Sequence, residues 1–177
     1  MTSREMRNII LCGFMATGKS SVGKRLAAMV SYDFLDMDAV IEAETGMSIP
    51  QIFSSRGEPA FRALESRLVE RVAEQARYVV ATGGGTIVDP QNLEKLKRSG
   101  VVITLTADVR TILLRVGSGE DRPMLKDGDR IERVRMLMEQ RAQAYAQADI
   151  VLDTSSVSID EVAQRIMDRL PEFGFAF

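Results

Sequence analysis

Short apolar runs alternate with amphipathic stretches along the whole chain. Asn8-Ile9-Ile10-Leu11-Cys12, Asp33 to Asp38, Tyr78-Val79-Val80-Ala81-Thr82, Val101-Val102-Ile103-Thr104-Leu105 and Ile150-Val151-Leu152 are too short for helices and read as strands. Between them apolar residues recur at helical spacing. Val22, Leu26, Ala27 and Val30 mark one face over Lys19 to Val30. Phe61, Leu64, Leu68 and Val72 do so over Glu58 to Arg77, and Val134, Leu137, Met138 and Tyr145 over Arg130 to Gln147. Shorter helices are expected at Ala39 to Thr45, ended by Gly46, at Ile49 to Phe53 behind a Ser48 cap, after Asp89-Pro90, and at Val109 to Arg115. The last helix opens on Ser158 and Glu161 as a capping box, with Val157 set to staple against Val162, and stops at Pro171. This alternation predicts an α/β fold, a five-stranded parallel sheet between two layers of helices.

The first strand runs into Gly13-Phe14-Met15-Ala16-Thr17-Gly18-Lys19-Ser20, and a helix follows. Gly, four residues, then Gly-Lys-Ser/Thr is the phosphate-loop pattern, and strand, turn, helix is the setting it requires. Gly13 and Gly18 permit backbone angles that a side chain would forbid. Successive N–H groups can then turn inward and join the helix N-terminus in holding a phosphate chain. The candidate ATP site is Gly13, Met15, Ala16, Thr17, Gly18, Lys19, Ser20 and Ser21, with Lys19 on the outer phosphates and the Ser20 hydroxyl for Mg2+.

In an open parallel sheet, ligands sit at the carboxyl ends of the strands. The second strand ends in Asp36 and Asp38, and alternation sends both side chains the same way if the strand continues that far. One carboxylate would help position Mg2+, the other would accept from a substrate hydroxyl; the ordinary alternative makes Asp38 the cap of the next helix. Gly83, Gly84 and Gly85 follow the third strand, where they allow close approach of a ligand or simply form a turn. Arg62 lies near a helix start, with Glu65 three residues on and within reach of it, and is by itself a weak signal. Arg141 is stronger. At 100° per residue it falls in the middle of an apolar face, so it either pairs with an internal carboxylate or, the reading favoured here, grips an anionic ligand. The polar, Gly-bearing stretch at about 116–129 carries Arg122 and reads as a lid whose arginine reaches transferred phosphate.

Composition narrows the chemistry. The chain has 177 residues, 45% hydrophobic and 27% charged, which matches one well-filled domain. A net charge of −2 argues against a general nucleic-acid or membrane-surface binder. Cys12 is the only cysteine and there is no histidine, so disulfide frameworks, thiolate clusters and histidine catalysis are all excluded. No apolar stretch approaches a signal or a membrane span, and a cytoplasmic enzyme is expected. No Asn-Lys-x-Asp guanine signature is present, and what remains is a small-molecule kinase with a lid and an acceptor pocket. Phe173, Phe175 and Phe177 either cover the chain's own core or meet a neighbour.

At these residues the chain resembles the shikimate kinase family. The resemblance runs nearly from end to end, through the phosphate loop, Phe34-Leu35-Asp36-Met37-Asp38, Phe61-Arg62-Ala63-Leu64-Glu65, Gly83-Gly84-Gly85, Arg122-Pro123-Met124-Leu125 and Arg141-x-x-x-Tyr145. It implies transfer of the ATP γ-phosphate to the 3-hydroxyl of shikimate in chorismate and aromatic amino-acid biosynthesis. It also implies a nucleoside-monophosphate-kinase-like P-loop fold, strand order 2-3-1-4-5, with a shikimate-binding subregion at about 36–62. Lys19, Asp38 and Arg122 are the implied catalytic residues, and Asp36 with Ser20 the implied Mg2+ ligands. Asp38, Arg62, Gly83, Gly84 and Arg141 are the implied shikimate contacts, Glu65 would orient Arg62, and Arg115 and Ser155 belong to the adenine side. Ala16 stands where many relatives carry glycine and Met124 where Leu is usual; an alanine holding negative φ would be tolerated there. A monomer without nucleic-acid or membrane partners is the family expectation. The rivals are another kinase of this shape, such as a gluconate kinase, a non-catalytic regulatory module, and a nucleic-acid-binding P-loop protein, whose basic surface this chain does not advertise.

Overall fold

The computed structural model describes residues 7–117 and 129–177. Five strands are present: β1 (Asn8–Cys12), β2 (Asp33–Asp36), β3 (Tyr78–Ala81), β4 (Gly100–Thr106) and β5 (Ile150–Asp153). They form one sheet in the order β2-β3-β1-β4-β5. Every pairing is parallel, with Leu11 opposite Ala81 and Ile103, and Asp36 opposite Ala81. All carboxyl ends therefore share one edge, the edge at which such sheets bind ligands.

The helices are α1 (Lys19–Val30), α2 (Met37–Thr45), α3 (Ile49–Ala73), α4 (Pro90–Ser99), α5 (Val109–Val116), α6 (Arg130–Tyr145) and α7 (Ile159–Arg169). Alternation along β1 divides the core. Ile9 and Leu11 pack with Val22 and Leu26 of α1 and Val162 and Ile166 of α7. Ile10 and Cys12 face the other way, among Leu68 and Val72 of α3, Leu96 of α4, and Val134 and Leu137 of α6. This is the expected three-layer α/β arrangement, with both faces of the sheet buried.

Several boundaries differ from the sequence expectation. The two helices expected at Ile49–Phe53 and Glu58–Arg77 are both present within α3, parted where Gly57 leaves helical geometry at φ 79° and ψ 167° just before Pro59; the second ends at Ala73, short of Arg77. Ser48 opens α3 with a complete capping box: its hydroxyl accepts from the Gln51 N–H, and the Gln51 side chain accepts from the Ser48 N–H. At α7 the Ser158 hydroxyl accepts from the Glu161 N–H. The helix ends at Arg169 with Leu170 as its C-cap, as expected ahead of Pro171, and the chain then turns through a separate 3-10 segment, Leu170–Phe173. Phe175 is buried in the α1/α7 core and Phe177 lies exposed over it, which gives the aromatic tail a role within the chain.

Candidate active site

The phosphate loop is shaped by positions that only small residues tolerate. Gly13 has φ 131°, and a Cβ there would lie 2.1 Å from the Leu105 carbonyl oxygen. Gly18, at φ 96°, turns the chain into α1. Ala16 does not hold the negative φ expected of it: it sits at φ 59°, in the left-handed region. Tertiary contacts maintain that conformation. Arg115 Nη1 donates to the Ala16 carbonyl at 3.1 Å, and the buried Thr154 hydroxyl donates to the Thr17 carbonyl at 2.9 Å. The Thr17 hydroxyl donates in turn to the Phe14 carbonyl at 2.8 Å.

The left-handed conformation costs an alanine about 1–2 kcal/mol. Glycine avoids this but gives back about 0.4–1 kcal/mol through its freer unfolded chain. Ala16→Gly should therefore raise stability by about 0.5–1 kcal/mol in urea denaturation. A loss of stability would show that Ala16 carries no strain.

Lys19 Nζ donates to the carbonyls of Gly13 and Phe14 at 3.0 and 2.8 Å, so its charge sits over the loop it follows. The carboxylates arrive differently from the alternation predicted. β2 stops at Asp36, and Asp38 lies in the first turn of α2. The cap is Asp36: its Oδ1 accepts from the N–H groups of Asp38 and Ala39 at 3.1 and 3.3 Å. Capping won over strand extension because it satisfies donors that α2 would otherwise leave bare. The other Asp36 oxygen, Oδ2, accepts from the Ser20 hydroxyl at 2.6 Å. Asp36 and Asp38 still line one cavity with Lys19, Ser20 and Ser21.

Among the described residues no group of three Asp, Glu, Cys or His could hold a metal ion by itself. One carboxylate and one hydroxyl, side by side beneath a phosphate loop, suit Mg2+, which takes hard oxygens and keeps waters and substrate phosphates as its other ligands.

A neighbouring cavity of about 380 Å³ shares Met15, Asp38 and Gly84 with the first, and adds Phe61, Arg62 and Arg141. Arg62 Nη1 donates to Glu65 Oε2 at 2.5 Å and Nη2 to Glu58 Oε1 at 2.9 Å. Glu65 is only 1% exposed, and its Oε1 accepts from the Thr86 hydroxyl at 2.7 Å. Burial works against the Arg62 charge, but Glu65 and Glu58 outweigh it and hold the guanidinium protonated.

The glycines flanking Gly84 answer to this ion pair. A Cβ at Gly83 would lie 2.2 Å from Glu65 Oε1, and one at Gly85 would lie 2.6 Å from Arg62 Nη1. Arg141, 7% exposed, stacks over the Phe14 ring with Cζ 5.6 Å from its centroid. Among the described residues no carboxylate pairs with it. Its side chain lines the cavity, and the internal carboxylate that the sequence also allowed is not its partner.

Arg115 also grips Thr154, donating to its hydroxyl and carbonyl at 3.1 and 2.7 Å. Ser155 donates to Asp153 Oδ1 at 2.7 Å and accepts from the Asp108 N–H at 2.9 Å. Arg115 touches the phosphate loop directly at Ala16, and Ser155 follows Thr154, which touches it at Thr17. Arg122 and Met124 lie outside the described residues. Sequence reasoning missed Phe53, Phe61 and Glu42 as cavity walls, and Thr86, Asn92 and Tyr145 behind them.

The family model for shikimate kinase matches residues 15–171. The chain belongs to the shikimate kinase family. It is 45% identical over 161 residues to the shikimate kinase of Geobacter metallireducens, covering 91% of this chain and 90% of that one. The shikimate kinase of Pelotomaculum thermopropionicum is 41% identical over 170 residues, 96% of this chain and 99% of the relative. The solved shikimate kinase of Acinetobacter baumannii in complex with shikimate superposes with a TM-score of 0.92 at 33% identity, over 97% of each chain. The strand order expected from the resemblance is the one found, and no described helix is long and apolar enough to cross a membrane.

Proposed function

We propose that this chain transfers the γ-phosphate of ATP to the 3-hydroxyl of shikimate, giving shikimate 3-phosphate and ADP in the chorismate and aromatic amino-acid pathway. The observation that carries the reading is the placement of Arg62 and Arg141 on one cavity that opens onto the phosphate loop past Asp38. Two guanidiniums in a half-apolar pocket suit a small carboxylate with a hydrocarbon ring. The phosphate loop supplies the donor beside it.

Positioning does most of the work in phosphoryl transfer, with charge stabilisation beside it. The loop N–H groups and Lys19 hold the phosphates, while Arg62 and Arg141 fix the carboxylate end so that the acceptor hydroxyl lies by Asp38. Asp38 accepts that hydroxyl's hydrogen bond and takes its proton as the new P–O bond forms and the bond to ADP breaks. Mg2+, held by Ser20 and Asp36, would neutralise charge on the phosphate oxygens when bound. Arg122 adds a further cation from the lid, Arg115 and Ser155 flank the adenine, and Gly83 and Gly84 line the acceptor cavity beside the Arg62–Glu65 pair. The enzyme acts as a cytoplasmic monomer without nucleic-acid or membrane partners, in keeping with a net charge of −2.

The test is ATP consumption with Mg2+ in the presence of shikimate, gluconate, a nucleoside monophosphate or no acceptor. Turnover is expected with shikimate alone. Arg141→Ala should lower kcat/KM for shikimate by about 100-fold, the ordinary cost of truncating one side of a buried charged contact. Turnover with gluconate instead would overturn the substrate, and ATP binding without turnover would favour a regulatory module.

A further inference from the structure

Gly83 to Thr86 form a β-turn, closed by the Thr86 N–H donating to the Gly83 carbonyl at 3.2 Å. Gly85 has φ −104° and ψ −3°, and Gly84 has no positive φ, so the turn is type I. With glycine at both central positions the type II form is equally open, because its positive φ at Gly85 meets no Cβ. The two forms differ by a flip of the Gly84–Gly85 peptide, which exchanges where its C=O and its N–H point.

The ends of the turn are fixed independently. Thr86 is held through its hydroxyl by Glu65 and through its carbonyl by the buried Asn92, and the Gly83 carbonyl accepts from the Thr82 hydroxyl at 3.1 Å. Only the central peptide depends on something else. The Tyr145 hydroxyl, on the inner face of α6 and one turn past Arg141, donates to the Gly84 carbonyl at 2.6 Å. Burial pushes that hydroxyl up to about 12, against the charge of Arg141 and a side-chain hydrogen bond from it, so it stays a neutral donor.

We infer that Tyr145 is a positioning residue for the acceptor: by holding the Gly84 carbonyl it locks the turn in its type I form and keeps the Gly84 oxygen out of the cavity shared with Arg62 and Arg141. The trans peptide then aims the Gly85 N–H the opposite way. Among the described residues neither the Gly84 nor the Gly85 N–H finds an acceptor, and both glycines line that cavity. A flipped peptide would set a carbonyl oxygen against a carboxylate and remove a donor from it. The inference rests on the reading that shikimate fills this cavity.

The test compares Tyr145→Phe with Thr104→Val. The second removes the 2.9 Å bond from the Thr104 hydroxyl to the Tyr145 carbonyl, loosening the same end of α6 without touching the turn. Tyr145→Phe should raise the KM for shikimate about fivefold, as loss of one well-placed hydrogen bond does, and leave the KM for ATP within about twofold. Thr104→Val should leave both within about twofold. In 15N spectra without ligand, the Gly85 amide should shift or double in Tyr145→Phe alone. No selective rise for shikimate, or an equal rise in both variants, overturns the inference. Arg141→Ala separates the two readings: if it also leaves the shikimate KM unchanged, the substrate assignment fails, whereas a rise in Arg141→Ala alone removes only the role of Tyr145.

Discussion

Glu65→Gln is expected to lower kcat/KM for shikimate by about 100-fold and stability by about 2 kcal/mol, while the KM for ATP stays within about twofold. Glu65 touches neither cavity opening, yet both of its oxygens are committed, one to Arg62 and one to Thr86. Glutamine keeps the shape but presents its amide nitrogen to one of two donors. It also leaves the Arg62 guanidinium with only Glu58 for a counter-charge. Full loss of a buried partner costs about 3–5 kcal/mol, but Arg62 is 30% exposed and water recovers part of that.

Glu58→Gln is the internal comparison. It removes a carboxylate on the same guanidinium that is 46% exposed, and such pairs contribute about 0–1 kcal/mol. Steady-state kinetics and urea denaturation on both variants decide the matter. If Glu65→Gln lost stability but kept its shikimate KM, Glu65 would be a core residue and Arg62 would need no orienting partner.

What could be read in the sequence was what is local. The phosphate loop, the strands and the cap at Ser48 depend on residues within a few positions of one another, and the fold places them as read, except that β2 stops at Asp36 and Ala16 is left-handed. Asp36 and Asp38 were legible as a pair but not in their geometry, because strand alternation and helix capping compete for the same residues. Arg62 and Ala16 were misjudged or left weak for a different reason: their conformations are set across the fold. The ion pair of Arg62 is completed by Glu65 only because Thr86, 21 residues further on, holds the second oxygen and glycine backbone lies against both side chains. Ala16 is held left-handed through Arg115, 99 residues away. Tyr145 had a visible signal. It lies one turn from Arg141 on the same buried face, and a buried phenol needs a partner for its hydroxyl. Nothing in the sequence could say that the partner is Gly84.

Asp38→Asn should cut kcat by about 100- to 1,000-fold while weakening shikimate binding only a few-fold, because the loss falls on proton transfer and not on the carboxylate grip. Asparagine keeps an oxygen that can accept from the acceptor hydroxyl, so the substrate still docks against Arg62 and Arg141. What it lacks is the ability to take the proton when the hydroxyl attacks. The stability change should be small, since the capping carboxylate of α2 is Asp36 and not Asp38. Loss of a negative charge in the first turn of the helix costs about 0.3–1 kcal/mol. Binding by titration calorimetry and single-turnover rates therefore separate the two contributions. A kcat within about threefold of the parent would mean that positioning and charge neutralisation suffice and that the hydroxyl loses its proton directly to phosphate oxygen or water. A binding loss as large as the rate loss would make Asp38 a docking residue alone. The paired arginines would survive either outcome, because Arg62 is held by Glu58 and Glu65 and Arg141 lies over the Phe14 ring.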